Sequence, residues 1–336
     1  MSHKAILQNI GSIFKKEEND FLELTQTINN YKEITYSLSD INLENEANRA
    51  DIHFNNGKAL GTAWAAMCID DIIRTKIFVK SVFNAIETLK EKKSRPIHIL
   101  YAGTGPFATL LLPIFATYSP KEVKATLLEI NQESFDSVKQ VISKLGFEGH
   151  IVSYENEDAT TFTIDKAIPV DIILSETLQC GLVKEQQVPI TLNLLNQVPK
   201  NTILIPEMLA LDVCLLNLKA YENRTETTPE TDYCIVLDRL IEINNTSNIE
   251  FQLDNTTTET KILSEKEITV LPKEATQFET LVLITRMTIF GDNKIKINES
   301  GLTVPIIIQV FNNQTTEKKF KISYKIDSEP GYVIHW

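Results

Sequence analysis

Several features that would assign a chain to a familiar class are missing from these 336 residues. The sequence contains no run of about 18 apolar residues, so we expect no transmembrane helix. Its first residues include no apolar stretch of signal-peptide length, and we therefore expect a cytoplasmic protein. No internal repeat is visible either.

Patterns that bind metal ions are also missing. The four cysteines form no Cys-x-x-Cys pair, and no histidine lies at metal-ligand spacing. We expect free thiols and no metal ion. Cys180 could be a nucleophile, but no nearby histidine is visible to activate it, which favours a role in packing or in lining a substrate site.

Positive charge is scarce. The chain has 33 basic and 45 acidic residues, which gives a formal net charge of −12. The only basic run, at residues 90–95, lies at the end of an expected helix, and there is no basic stripe of the kind that nucleic-acid-binding proteins carry. We therefore expect no nucleic-acid partner, while an acidic protein favours a cationic substrate or partner.

Three regions of different pattern follow one another. Apolar residues at helical spacing dominate residues 1–94, including 63–75 and 77–86, and residues 95–200 alternate short apolar runs with helical segments. This alternation predicts a parallel α/β sheet. We expect strands at 97–102, 125–129, 150–154 and 170–175, and helices at 107–118, 132–145 and 184–197. From residue 201, alternating apolar and polar residues, as at 318–326, and turn clusters, as at 312–314, predict an antiparallel β-barrel or sandwich.

A nucleotide-binding signature follows the first expected strand. Gly103 and Gly105 form a glycine turn that lets a ligand approach the backbone. The helix expected after Pro106 would offer its N-terminus to an anion. The second strand ends at Glu129, an acid placed to accept hydrogen bonds from both hydroxyls of a ribose.

Three cofactor interpretations remain open. The third strand is followed by Glu157, Asp158 and Ala159, where a carboxylate could meet an adenine amino group. The turn also fits the Gly-x-Gly-x-x-Ala pattern of a dinucleotide site, or it binds no ligand. S-adenosylmethionine fits better than a dinucleotide, because Glu129 lies somewhat far from the turn and a mostly helical region precedes the first strand.

The most informative stretch is residues 170–185, a buried strand followed by a loop with Glu176 and Glu185 at its ends. Open α/β sheets bind ligands at the carboxyl edge of their strands. Two carboxylates there form an anionic clamp for a planar cation with several donors, above all a guanidinium. Glu185 has a second explanation, because acids are favoured in the first turn of a helix such as the one expected at 184–197.

In these motifs the chain resembles the seven-strand S-adenosylmethionine methyltransferases, and among them the protein arginine methyltransferases. That family has a Ser-Glu loop with a second glutamate nine residues later, as Glu176 and Glu185 are here. It also has an Arg-Thr pair on the helix before the sheet, which Arg74-Thr75 resembles, and an active-site methionine that Met67 matches. Residues 204–207 resemble its entry into a β-barrel.

The resemblance implies a domain layout and a cofactor. Residues 1–94 are expected to cap the cofactor site, 95–200 to form a Rossmann-like seven-strand domain that binds S-adenosylmethionine, and 201–336 to form a β-barrel-like domain for substrate and dimerisation. Residues 219–232, polar and irregular between two expected strands, are the candidate dimerisation arm, and we expect a homodimer.

The resemblance also implies roles for single residues. Arg74 is expected to bind the carboxylate of the cofactor, and Glu176, Glu185 and Met67 to be catalytic. Tyr101 or Phe107, depending on the alignment, replaces a glycine of the family, and both are expected to line the cofactor site.

The chain departs from the family in two loops. Residues 177–180 read Thr-Leu-Gln-Cys where the family has Trp-Met-Gly-Tyr, and residues 302–305 read Leu-Thr-Val-Pro where it has a Thr-His-Trp loop. The expected activity is N-methylation of a cationic, arginine-like group of a protein or peptide. A peptide or small-molecule acceptor methylated at another N or O atom, or a catalytically silent binding protein, remains open.

Overall fold

The computed structural model describes residues 2–18, 20–247, 259–311 and 315–336. The turn expected at 312–314 lies outside the described residues. The N-terminal region contains four helices and one hairpin. These are α1 (His3–Phe14), α2 (Phe21–Leu38), β1 (Ile52–Phe54), β2 (Gly57–Ala59), α3 (Thr62–Met67) and α4 (Ile72–Lys90). Helices α1 and α2 pack on the next domain, where the Tyr31 hydroxyl donates a hydrogen bond to the Thr109 carbonyl.

The helix expected at 63–75 is interrupted. Helix α3 ends at Met67, a short 3-10 turn follows, and α4 begins after Asp71. Asp71 has extended backbone geometry (ψ 94°), and its carboxylate accepts a hydrogen bond from the backbone N–H of Arg74. This is an N-cap, so Asp71 sets the start of α4 and with it the position of Arg74.

A parallel sheet of five strands forms the centre of the molecule, in the order β5-β4-β3-β6-β7. Its elements are β3 (Ile97–Ala102), α5 (Leu112–Thr117), β4 (Val123–Leu128), α6 (Gln132–Leu145), β5 (Ile151–Glu155), β6 (Ile172–Ser175), α7 (Gln187–Leu195) and β7 (Ile203–Ile205). Alternate residues of β3 enter two hydrophobic cores, Ile99 and Tyr101 one of them and Leu100 and Ala102 the other. Both faces of the sheet are therefore covered, as the continuous apolar strands predict.

The described sheet has two strands fewer than the seven that the resemblance implies. Strand β7 pairs with β6, and the chain then turns at Pro206 and enters the second domain, so it contributes no further strand to this sheet. The change from parallel to antiparallel pairing thus comes at Pro206.

The helix expected at 107–118 begins only at Leu112. Gly105 and Ala108 both have positive φ, 59° and 48°, which a right-handed helix does not accommodate. Residues 105–111 therefore form turns. The helix N-terminus expected after Pro106 is absent, and the prediction of an anion site on it is wrong.

The described residues of the second domain form two antiparallel sheets. One has the order β12-β11-β8-β9, with β13 also paired to β11, and the other has the order β10-β14-β15. Their elements are β8 (Met208–Leu216), α8 (Leu218–Glu222), β9 (Cys234–Asn244), β10 (Lys261–Val270), α9 (Pro272–Gln277), β11 (Thr280–Phe290), β12 (Asn293–Ile295), β13 (Ile306–Val310), β14 (Lys318–Ile326) and β15 (Gly331–His335). Strand β9 contacts β10 and β14, which brings the two sheets together.

The candidate arm packs on its own β domain. The rings of Tyr221 and Tyr233 lie 5.6 Å apart, and the guanidinium of Arg224 lies 3.8 Å above the Tyr221 ring. Glu230 forms an ion pair with Arg286 of β11. Aromatic, cation–π and ionic contacts thus hold this segment against the strands on either side of it.

None of the helices in the described ranges is long and apolar enough to cross a membrane. Within the same ranges, no group of three or more His, Cys, Asp and Glu side chains could hold a metal ion.

Candidate functional site

A cavity of about 280 Å³ lies at the carboxyl edge of the parallel sheet. The structure brings most of the predicted site residues together in its wall. These are Arg74, Tyr101, Gly103, Gly105, Glu129, Ala159, Glu176 and Glu185. Residues that are distant in sequence therefore meet where β3, β4 and β6 end, as the strand order requires.

Two of the predicted cofactor residues lie outside this wall. Phe107 is completely buried and packs edge-on against Tyr36, with ring centroids 5.3 Å apart. The carboxylate of Asp158 accepts hydrogen bonds from the backbone and hydroxyl of Thr160 and so caps a turn. Its neighbour Glu157 lines the cavity in its place. The pair of acids after β5 therefore lies beside the cavity, but Glu157 and not the predicted Asp158 contributes to its wall.

Met67, the predicted catalytic methionine, also does not line the cavity. It is 43% exposed at the end of α3, whereas Cys68, the next residue, contributes to the wall. Met67 is the last residue of α3, whereas Cys68 is the first residue of the 3-10 turn that follows it.

The glycine turn is fastened to the acid that ends β4. One oxygen of Glu129 accepts a hydrogen bond from the backbone N–H of Gly105 (N···O 2.8 Å), and the other accepts one from Asn131 (2.9 Å). Burial raises the pKa of Glu129, and these two N–H donors oppose the rise. The carboxylate thus holds the turn while it lines the cavity.

The glycine turn also touches the glutamate loop. Gly103 has φ +73°, and a Cβ atom there would lie 2.1 Å from Cγ2 of Thr177. The backbone N–H of Thr177 in turn donates a hydrogen bond to the Gln187 side chain at the start of α7 (2.9 Å). Only glycine fits at position 103, and the cofactor turn and glutamate loop form one packed unit.

Arg74 and Glu176 form an ion pair inside the cavity. Their side chains are 14% and 5% exposed, so water screens the pair weakly. The second carboxylate oxygen of Glu176, Oε1, is buried and has no hydrogen-bond partner in the described part of the chain. A buried carboxylate oxygen without a donor is costly, and a ligand that supplies an N–H would satisfy it.

Glu185 lies before helix α7, which begins at Gln187, so helix propensity does not explain its presence. It is 8% exposed and lines the cavity. Burial raises its pKa to about 7, although Arg74 and Lys58 both act to lower it. A carboxyl group that changes charge near neutral pH can bind a cation or accept a proton.

Asp71 connects the start of α4 to the second domain. Its Oδ2 accepts hydrogen bonds from the Ser300 hydroxyl (2.6 Å) and from the backbone N–H of Gly301 (3.0 Å). These contacts bring Leu302 into the cavity wall, at the place where the Thr-His-Trp loop is missing. Asp71 is not among the residues predicted from the sequence, although an aspartate before a helical run is a recognisable N-cap signal.

Cys180 lies in the glutamate loop and lines the cavity. Burial raises the pKa of its thiol, which lowers the thiolate fraction at neutral pH. The geometry agrees with a lining role better than with a nucleophilic one.

No protein-family model matches the sequence, and no curated protein matches it. Among solved structures, the crystal structure of PRMT6, a protein arginine methyltransferase, is similar with a TM-score of 0.51 at 13% identity, over 78% of this chain and 94% of that one. The chain has a PRMT-like methyltransferase fold. The Trypanosoma brucei PRMT1 enzyme-prozyme heterotetrameric complex with AdoHcy also matches, with a TM-score of 0.46 at 13% identity, over 77% of this chain and 86% of that one.

This likeness confirms the architecture at the level of fold: an α/β domain with a parallel sheet, N-terminal helices and a C-terminal β domain. At this identity it assigns no role to a residue, so the roles of the cavity residues depend on the geometry described above.

Proposed function

We propose that the chain is an S-adenosylmethionine-dependent methyltransferase whose acceptor is a cationic, guanidinium-like group of a protein or peptide. One observation carries this proposal: the little-exposed carboxylate of Glu176 and the buried Glu185 face the same cavity as the glycine turn and Glu129. In addition, Glu176 already binds a guanidinium in this structure, that of Arg74. The site therefore has the charge and depth that such a group requires.

The cavity residues fit this cofactor. Glu129 can accept hydrogen bonds from ribose hydroxyls, since a carboxylate oxygen accepts more than the one bond that each receives from the backbone. Glu157 lies where an adenine amino group could donate to it, and Leu128, Ile130 and Ile190 supply apolar walls. Arg74 would bind the carboxylate of the cofactor through its planar fork of N–H donors.

When bound, S-adenosylmethionine supplies an electrophilic methyl group on a sulfonium ion. The protein then contributes by aligning the reactants and by stabilising charge. Glu176 would hold the cationic acceptor through its free Oε1 and orient one of its nitrogen atoms toward the methyl group. Glu185, with a pKa of about 7, would accept the proton that this nitrogen loses on methylation.

A second acceptor class is favoured by the same pKa. A carboxyl group half protonated near pH 7 provides less negative charge than a clamp of two ionised glutamates. Such a site suits a neutral N or O atom of a peptide or small molecule, with Glu185 as general base and no need for a permanent cation.

Transfer of a labelled methyl group separates these candidates. The protein is incubated with labelled S-adenosylmethionine and with peptides or small molecules that offer a guanidinium, an amine or a hydroxyl. We expect label on the guanidinium compounds, and Glu176→Gln should lower that rate by ~100-fold or more because a buried cation loses its partner. Glu155→Gln, at the end of β5 and outside the cavity wall, is the matched control. Label only on hydroxyl or neutral nitrogen acceptors would favour the second class, and no label on any of them would favour a silent binding protein.

A further inference from the structure

The backbone of the glutamate loop is in an unfavourable conformation. Gly181, Leu182 and Lys184 all have positive φ, at 76°, 53° and 65°. Glycine adopts this left-handed region freely, but leucine and lysine rarely do because their Cβ atoms crowd the backbone. Such a conformation persists only where the surroundings hold it, and it is common at functional sites.

The second domain supplies the groups that hold this loop. The Thr285 hydroxyl of β11 accepts a hydrogen bond from the backbone N–H of Gly181 (2.7 Å). The Tyr324 hydroxyl of β14 donates one to the carbonyl of Leu182 (2.6 Å). The carbonyl of Pro330 accepts one from the backbone N–H of Lys184 (2.7 Å). Three bonds thus fasten three residues whose φ angles are positive.

The N-terminal region holds the opposite side of the loop. The backbone N–H of Lys58, in β2, donates to the carbonyl of Lys184 (2.8 Å). Lys184 is therefore bonded on both sides, and Glu185, the next residue, is directed into the cavity. The loop has no room to relax toward the β domain, because a Cβ atom on Gly181 would lie 2.5 Å from Ile306.

We propose that Tyr324 and Thr285 are positioning residues for methyl transfer: their hydroxyls hold the loop at 181–184 in its left-handed conformation and so keep Glu185 buried in the cavity. This inference depends on the proposed function. Tyr324 is completely buried, and phenylalanine would fill the same space, so the hydroxyl is there for its bond to Leu182. These two residues of the β domain would then act on the site although neither lines the cavity.

The test measures Glu185 directly. Its titration is followed by NMR of protein labelled with ¹³C at the glutamate carboxyl carbons, and its signal is assigned by its loss in Glu185→Gln. Arg74, Lys58 and Asp51 are the charged groups that act on Glu185, and the variants leave all three in place. In Tyr324→Phe and in Thr285→Val we expect the titration midpoint to fall by about one pH unit or more toward that of an exposed glutamate.

Tyr332→Phe is the matched control. Tyr332 also lies beside Gly181, 3.8 Å from the position of its Cβ, but its hydroxyl makes no hydrogen bond within the described ranges. An unchanged midpoint in a folded Tyr324→Phe protein would overturn the inference, and so would an equal fall in the control. If Tyr324→Phe does not fold, Thr285→Val decides by the same criterion.

Calorimetric titration of the same proteins with S-adenosylhomocysteine keeps the two proposals apart. We expect wild-type affinity in both hydroxyl variants, because neither residue lines the cavity. Absence of binding to the wild-type protein would count against the proposed function, whatever the Glu185 titration shows.

Discussion

Arg74 and Glu176 form a buried ion pair across the cavity, so the residue expected to bind the cofactor contacts a residue expected to bind the acceptor. If a cofactor carboxylate binds Arg74, it competes with Glu176 for the same guanidinium. The expected cofactor side and acceptor side of the site are therefore coupled through Arg74, and the position of the Arg74 side chain affects both.

Replacing Arg74 by lysine should weaken cofactor binding by ~10- to 100-fold, because an ammonium group cannot bond a carboxylate through a planar fork. Calorimetric titration with S-adenosylhomocysteine measures this loss. Arg95→Lys is the control, since Arg95 also pairs with a carboxylate, that of Asp171, but lies outside the cavity wall. An equal loss in both variants, or loss of the fold in Arg74→Lys, would show that Arg74 is structural.

Replacing Glu185 by glutamine should stabilise the protein at alkaline pH. In the folded protein the pKa of Glu185 is about 7, above its usual value near 4.5, so the folded state binds the proton more tightly than the unfolded state. Stability contributed by this group is therefore complete below about pH 4.5 and is lost as the pH rises to 7. The full loss is on the order of 3 kcal/mol, and glutamine avoids it.

Urea unfolding of both proteins at pH 5 and pH 8 measures this effect. We expect the variant to be more stable than the wild type at pH 8 and nearly equal to it at pH 5. A stability difference that is the same at the two pH values would contradict the assignment of a raised pKa to Glu185.

A pair of variants tests which acid would bind an adenine amino group in the proposed cofactor site. Glu157→Gln should lower the affinity for S-adenosylhomocysteine by several-fold, since Glu157 lines the cavity and the charged acceptor is lost. Asp158→Asn should change it little, because the carboxylate of Asp158 caps the turn at Thr160. A larger loss of affinity in Asp158→Asn than in Glu157→Gln would instead indicate Asp158 as the adenine-binding residue.

We also predict a homodimer, with residues 219–232 as the contact segment. Light scattering at micromolar concentration should give twice the mass of the chain. Arg224→Ala removes the cation over the Tyr221 ring and should loosen the segment and weaken the dimer. A monomer mass for the wild-type protein would remove this prediction.

Elements with strong local signals could be predicted from the sequence. Strand β14 and helix α6 have the expected bounds, because apolar alternation marks the strand while Asn131 and Gly146 cap the helix. The glycine turn and the glutamates also lie at one edge of the sheet, as expected, since strands of known direction end at known residues.

The features that could not be predicted from the sequence depend on contacts between residues that are distant in the chain. No residue near Ala108 in the sequence predicts its positive φ, and because of this φ helix α5 begins later in the chain than expected. The bond from Ser300 to Asp71 spans 229 positions, and Lys184, the residue before Glu185, donates its backbone N–H to the distant carbonyl of Pro330. Cys68 faces the cavity and the adjacent Met67 does not. A turn of 3-10 helix decides between them, and the helical pattern of the sequence did not show this turn.

The central claim is that this cavity binds S-adenosylmethionine through Glu129. Calorimetric titration of wild-type protein and Glu129→Gln with S-adenosylhomocysteine, and separately with NAD, tests it most directly. Glutamine keeps one acceptor for the glycine turn but loses the charge and the second acceptor, so we expect a loss of ~10- to 100-fold, or about 1.4–2.8 kcal/mol. We predict binding of S-adenosylhomocysteine, that loss in the variant, and no measurable binding of NAD. Wild-type affinity in the variant, or binding of NAD in place of S-adenosylhomocysteine, would contradict the account.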